Sequence, residues 1–223
     1  RAAVEATVPV GSARLQVNGG WERNFRREFA DGAATRPDLG LLVRNWTGFA
    51  HLHHAPVGPL TGTLGVSAMT SAFANRGDET LIPDSDTRTA AVYAMEQLEH
   101  GAWRVTLGAR HDWRTLATDG EPAIDVTAER RRFRATTGSL GVLWRVREPV
   151  ALVANVARGF RAPAAPDLWA NGFHEGTRAF ERGRRDLRVE TSLNTELGVR
   201  VSASSLSGEL TGYVNRVRDY IYL

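Results

Sequence analysis

Apolar and polar side chains alternate at every second position along much of this chain, a pattern typical of β-strands. The alternation is strongest between Trp103 and Trp113, where a strand would have one apolar face and one wet face. The apolar parity is made of Trp103, Val105, Leu107, Ala109, His111 and Trp113, and the other parity of Arg104, Thr106, Gly108, Arg110 and Asp112.

The same period predicts about ten strands, and no helical period competes with it. Turn residues and polar segments separate the strands. The predicted strands cover residues 4–10, 15–29, 39–53, 60–74, 87–99, 103–113, 133–146, 150–160, 189–203 and 206–223.

The connections between these strands alternate in length. Short ones are predicted at 9–14, 55–59, 100–102, 147–149 and 204–205, and long ones at 30–38, 75–86, 116–129 and 161–188. Transmembrane β-barrels sort their connections in this way, with short periplasmic turns and longer extracellular loops. Trp103 and Trp113 also lie ten positions apart, about 25 Å of height at roughly 3.3 Å rise and a 40° tilt, which matches the distance between the aromatic girdles of such a barrel.

Length and composition exclude several classes of protein. The 223 residues could form one domain, and because the chain begins at Arg1 without a signal peptide, we expect it to be a piece of a longer protein. No apolar run approaches the roughly 18 residues of a membrane-spanning helix. Cysteine is absent, and the net charge of +3 comes from scattered, matched charges, so we expect no thiol chemistry and no nucleic-acid partner.

Residues 157–200 carry a recognisable set of motifs. "ARGFRAP" is followed by "DLWANGFHEGTRAFERG" and then by "VETSLNTELGVR", and the strand "LGARHD" lies upstream. In this order the motifs resemble those of the TonB-dependent receptors of Gram-negative outer membranes, over most of residues 40–223. Trp169 stands where that family commonly has tyrosine, and Val189 where it often has proline.

The resemblance implies an all-β, antiparallel, up-and-down transmembrane barrel of about 22 strands, of which this chain would be one partial-barrel domain over residues 1–223. It implies an outer-membrane receptor for energised uptake of a scarce ligand: a ferric siderophore, haem, cobalamin or a metal ion. The expected partners are the ligand, the outer-membrane lipid and lipopolysaccharide, and the TonB complex, which would act through a plug domain absent from this chain. We expect no cofactor and no enzymatic activity.

The candidate ligand-binding residues lie in the longest predicted loop. They are His174, Glu175, Glu181 and Arg161, with Asp167 nearby in sequence. Imidazole and carboxylates together can bind a transition metal, which makes His174 the candidate metal ligand. "NGFHEGTRAFERG" also resembles an element of zinc- and haem-type receptors, although a histidine that only packs the loop fits the same pattern.

Other residues favour simpler interpretations. His51, His53 and His54 could suggest a metal site, but they lie beside a short turn and are explained as residues of the membrane rim. His111 fits the aromatic girdle beside Trp113. Residues 130–132, three consecutive arginines, could steer anionic siderophores or meet lipopolysaccharide phosphates, or could simply be solvated. No ordered catalytic triad appears, and the glutamates at 190 and 196 fit a wet barrel interior.

Two other classes of protein stay open. A passive porin or an outer-membrane barrel enzyme would share the strand pattern, and a soluble β-sheet binding module would bury Leu193, Leu197 and Val199 in a closed interior. Ten strands taken from a larger barrel would also leave two unpaired edges. We therefore predict an open sheet rather than a closed ten-stranded cylinder.

Overall fold

Ten strands pair antiparallel with their neighbours in the computed structural model, which describes residues 1–29, 35, 37–174 and 178–222. The predicted all-β antiparallel architecture is confirmed. In chain order the elements are β1 (Ala2–Val10), β2 (Ala13–Glu28), β3 (Leu39–His53), β4 (Leu60–Asn75), β5 (Ser85–His100), β6 (Trp103–Glu121), a 3-10 turn (Pro122–Ile124), β7 (Val126–Arg147), β8 (Val150–Arg161), α1 (Ala165–Trp169), β9 (Asn171–His174), β10 (Ala179–Arg182), β11 (Glu190–Ser202) and β12 (Ser207–Arg218).

The sheet is open. Its order is β1 to β8 followed by β11 and β12, while β9 and β10 form a separate hairpin. Within the described ranges β1 and β12 are the two edges, do not pair with each other, and expose every residue. The predicted open sheet is therefore confirmed.

The strands are staggered as barrel strands are. One line of paired residues crosses the sheet from Gln16 through His51, Gly65, Tyr93 and Arg110 to Thr137. Gln16 lies three residues from the short-turn end of β2 (16 − 13), whereas Thr137 lies ten residues from that end of β7 (147 − 137). A shift of this kind is the tilt that a sheet needs to curl into a barrel.

The two faces of the sheet divide as the alternation predicts. Trp103, Leu107 and Trp113 are 45, 53 and 40% exposed, and Leu197 on β11 is 66% exposed, whereas Asp112 on the opposite parity is only 4% exposed. The apolar parity therefore faces outward. No helix in the described part of the chain is long and apolar enough to cross a membrane.

One predicted loop is wrong. Residues 116–129 form the continuous end of β6, a 3-10 turn and the start of β7, so that only residues 122–125 are not strand. Leu116 (0% exposed) and Thr118 (5%) continue the inner parity of β6. The segment looked like a loop because strands that extend beyond the apolar band carry polar residues on both faces.

Two other segments also depart from the prediction. Residues 161–188 are only partly irregular, since they include α1 and the β9–β10 hairpin. The last strand ends at Arg218 instead of continuing to 223, because Asp219 takes a left-handed conformation (φ 52°). Ile221 then turns against the sheet and is 4% exposed.

Candidate functional site

The segment between β8 and β11 folds over the inner face of the β6–β7 hairpin, at the end of the sheet away from the short turns. Leu168 and Trp169 of α1, each 1% exposed, are the central contacts. They complete the main apolar core, whose buried members are Leu116, Ile124, Val126, Phe133, Leu168 and Trp169. Because this core lies at one end of the space inside the curved sheet, the folded segment covers part of the opening at that end.

Polar contacts fix the same segment. The Trp169 indole Nε1–H donates to Glu129 Oε2 at 2.9 Å, and the Asn171 amide donates to the Ile124 carbonyl at 2.8 Å. The Arg131 guanidinium donates to the carbonyls of Leu187, at 3.3 Å, and Arg185. Trp169, which departs from the family's usual tyrosine, therefore supplies both packing and a donor.

Arg161, a predicted ligand-binding residue, is engaged by internal partners. Its guanidinium donates to both carboxylate oxygens of Asp167 at 3.1 and 3.0 Å and to the Ile221 carbonyl at 2.9 Å. Asp167 also accepts the Ala164 N–H at 2.8 Å and has a side chain only 5% exposed. The contacts hold α1 and the end of the chain against β8, while about half of the Arg161 side chain (47%) stays exposed.

His174 and Glu181 come together on the β9–β10 hairpin. The His174 Nδ1 lies 2.7 Å from Glu181 Oε1, and the two side chains are 23 and 20% exposed. A carboxylate at this distance orients the imidazole ring, as the carboxylate partners of metal-binding histidines do. Glu175, also predicted as a ligand-binding residue, lies outside the described residues.

Two phenylalanines on this hairpin were missed by the sequence analysis. Phe173 and Phe180 are directly paired across the hairpin and are 49 and 63% exposed. They lie on the face opposite His174, because adjacent strand residues point to opposite sides. The signal that could have found them is two aromatic residues placed symmetrically about a short polar stretch of sequence.

A cleft of about 380 Å³ lies between this segment and the tip of the β6–β7 hairpin. Trp169, Asn171, Arg182 and Arg185 contribute to its lining. The Arg185 guanidinium donates to the Asp125 carbonyl at 3.1 Å. The cleft therefore has basic and aromatic walls and one fixed arginine.

The described part of the chain offers few side chains that could bind a metal ion. Within the residues that the structure describes, no group of three or more His, Asp or Glu side chains could hold a metal ion. On the described hairpin His174 is a candidate ligand with Glu181 as its hydrogen-bond partner, so an incoming metal complex would have to bring the rest of its own ligands. Haem and ferric siderophores are complexes of that kind.

The histidines of the short-turn end have separate partners. His51 lies 2.5 Å from the Tyr93 hydroxyl, His53 2.8 Å from the Thr63 hydroxyl, and the His54 Nε2 3.0 Å from Glu96. A hydrogen bond with the Ala55 carbonyl, followed by the Glu96 carboxylate, raises the pKa of His54. The three rings thus make hydrogen bonds to different residues.

The inner wall carries a polar network as predicted. Arg110 donates to both oxygens of Asp112, at 3.0 and 2.9 Å from Nε, and lies 5.1 Å from the centre of the Tyr93 ring. Glu190 accepts the Ile221 N–H at 2.8 Å, and Glu196 accepts from Asn194 at 2.5 Å. These carboxylates therefore have structural hydrogen-bond partners.

Comparison with known proteins places the fold. Residues 8–223 match the family model described as TonB dependent receptor-like, beta-barrel. The hemoglobin-haptoglobin utilization protein B of Neisseria meningitidis serogroup C is 28% identical over 130 residues, which are 54% of this chain and 16% of that protein.

Solved structures give the same fold. The copper transporter OprC has a TM-score of 0.70 at 15% identity over 93% of this chain and 36% of its own. A double mutant of the Serratia marcescens hemophore receptor HasR, in complex with its hemophore HasA and heme, has a TM-score of 0.68 at 14% identity over 98% of this chain and 42% of its own. The chain thus spans less than half the length of each of these proteins.

Proposed function

This chain belongs to the TonB-dependent receptor β-barrel family, and from that premise we propose that it forms part of an energised importer of an iron-bearing ligand. The chain lies in the outer membrane of a Gram-negative bacterium, as the family does. The long connections then face the outside and the short turns face the periplasm. Residues 162–174 and 178–189 lie at the outer mouth.

We propose that residues 1–223 are one part of a larger barrel of about 22 strands. The exposed edges β1 and β12 support this, since unpaired backbone groups in hydrocarbon cost several kcal/mol each and need further strands. A plug domain elsewhere in the protein and the TonB complex would provide the energy coupling. The chain would perform no chemical step of its own.

The ligand that we propose first is haem, with a ferric siderophore as the second candidate. The observation that carries the proposal is the His174–Glu181 pair at the outer mouth, because a carboxylate-oriented imidazole is a common ligand of haem iron. The names of two relatives mention hemoglobin and heme. A siderophore would instead use the arginines of the cleft and the exposed Phe173 and Phe180.

Growth of a receptor-deletion strain on one iron source at a time tests the proposal. Cells carrying the full-length receptor would be supplied with haem or with ferric siderophores under iron limitation. If haem is the ligand, the receptor should support growth on haem, and His174→Ala should raise the haem concentration that growth requires at least tenfold. If the second candidate is correct, growth occurs on a ferric siderophore instead, and Phe173→Ser with Phe180→Ser reduces that growth.

Two controls make the result specific. His100→Ala removes an exposed histidine at the opposite end of the sheet and should change neither phenotype. Uptake that continues in cells lacking the energy-coupling complex would instead support a passive porin. Full growth of the His174→Ala strain on haem would exclude His174 as a haem ligand, and failure of the natural receptor to support growth on haem would exclude the haem assignment.

A further inference from the structure

Four arginines gather on the outward face of the sheet, on the side of the extracellular loops. Trp113 of β6 pairs with Arg134 on β7. Thr115, two positions further along β6, pairs with Arg88 on β5 and with Arg132 on β7. Paired residues share a face, and Trp113 faces outward, so these side chains also point away from the interior. The outward arginine patch consists of Arg88, Arg130, Arg132 and Arg134.

The depth of the patch in the membrane follows from the register. Arg134 lies level with Trp113 along the pairing, and Arg132 and Arg130 lie two and four positions further outward. At about 3.3 Å rise and a tilt of about 40°, these positions are about 5 and 10 Å beyond the tryptophan. The headgroup region begins at the aromatic girdle and is about 5–8 Å thick in each leaflet. Arg134, Arg132 and Arg88, which is level with Arg132, therefore lie at headgroup depth, and Arg130 lies just beyond it.

The charges of the patch are not neutralised by the protein. All four side chains belong to exposed residues, and the described residues place no carboxylate within ion-pair distance of them. Asp86 and Asp119 face the same way, which leaves a formal charge of +2 (4 − 2) on this surface. By contrast, Arg110, Arg131 and Arg161 on the inner side each have a carboxylate partner.

The strand that carries most of the patch is held rigidly from behind. Between the outward arginines, Phe133 is 7% exposed in the core and Arg131 donates to the Leu187 carbonyl. The backbone of residues 130–134 is thus fixed by inward contacts. Positive charges that are held close together repel one another strongly near the low-dielectric bilayer. An anion between them would relieve that repulsion.

We propose that the outward arginine patch binds the phosphate groups of a lipid headgroup in the outer leaflet. The guanidinium fork matches phosphate oxygens in a bidentate way, and the side-chain stems can lie along apolar surface. The Cα atoms of Arg88 and Arg132 are about 10 Å apart, across one intervening strand, and those of Arg132 and Arg134 about 7 Å apart. This spacing gives room for two phosphates of one headgroup, at a site separate from ligand uptake in the mouth.

The test uses the full-length receptor in phosphatidylcholine nanodiscs that contain a small fraction of lipid A. Binding of bisphosphorylated lipid A would be measured by native mass spectrometry and by the rise of the unfolding temperature. Arg132→Gln with Arg134→Gln should weaken it about 30-fold, since each arginine near a membrane surface contributes about a factor of five. Added salt should weaken binding to the natural sequence more than to the double variant.

Matched controls distinguish the source of the phosphate. Arg14→Gln with Arg147→Gln removes the same charge at the short-turn end and should leave lipid A binding unchanged. Equal affinity for dephosphorylated lipid A would overturn the proposal, because binding would then come from the apolar surface. Competition by millimolar inorganic phosphate to the same extent as by lipid A would show a free-anion site and would equally overturn it.

Discussion

Removal of the Trp169 side chain should release the segment at the outer mouth while leaving the sheet intact. The indole is 1% exposed, packs with the core that includes Leu116 and Phe133, and donates to Glu129. Truncation of a buried tryptophan to alanine costs about 3–5 kcal/mol. Trp169→Phe keeps most of the packing but loses the hydrogen bond to the charged Glu129, which should cost about 1.5–3 kcal/mol of stability.

Hydrogen exchange of the full-length receptor measures this effect where it should occur. Amides of residues 162–174 and 178–189 should exchange about 10²- to 4 × 10³-fold faster in Trp169→Ala, following the 1.4 kcal/mol that corresponds to each tenfold change. Amides of β4 and β5 should be unchanged. Trp46→Ala, which removes an outward tryptophan that is 62% exposed, should not affect the segment. Equal exchange in Trp169→Ala and the natural sequence would refute the packing described here.

Three further predictions test other parts of the structure. Leu197→Arg should reduce the free energy of unfolding in lipid vesicles by about 2–4 kcal/mol, because a charge would face hydrocarbon, whereas Leu206→Arg in a short turn should change it little; equal effects would argue against a lipid-facing β11. The carbonyl and carboxylate that raise the pKa of His54 stabilise its charged form, so this stabilisation should be full at low pH and disappear as pH rises through the raised pKa; an NMR titration that finds His54 titrating at or below the ordinary histidine value would contradict it. Gly120→Ala should destabilise the β6–β7 tip by about 1–3 kcal/mol, since φ is +93° and a Cβ would lie 2.8 Å from backbone atoms; unchanged protease sensitivity of the tip would be the contrary result.

The membrane-facing half of this fold could be predicted from the sequence because hydrocarbon imposes one rule on every strand. Residues at alternate positions must be apolar where they meet lipid, so the faces of β6 and β11 follow from period two alone. The resemblance of the motifs after Gly159 then gave the family. Nothing comparable constrains the strands once they leave the lipid, and for that reason the polar sequence of the β6–β7 tip predicts a loop where the structure has strands.

The structure of the segment between β8 and β11 could be predicted only in part. Its position in the longest connection and its histidine were visible, but the approach of His174 to Glu181 depends on a hairpin that brings residues seven positions apart together. The internal role of Arg161 depends on Asp167 and Ile221, which come from a helix of five residues and from the end of the chain. Contacts of this kind arise from tertiary packing, and no local pattern encodes them.

The orientation of β11 in the membrane tests the account most directly. The chain contains no cysteine, so single cysteines at positions 192–199 of the full-length receptor, with any other cysteines replaced, can carry spin labels in lipid bilayers. The account predicts that labels at Leu193, Leu197 and Val199 are accessible to oxygen dissolved in the lipid, and that labels at Asn194 and Glu196 are accessible to a water-soluble relaxation agent. Accessibility without a period of two, or with the two faces exchanged, would contradict it.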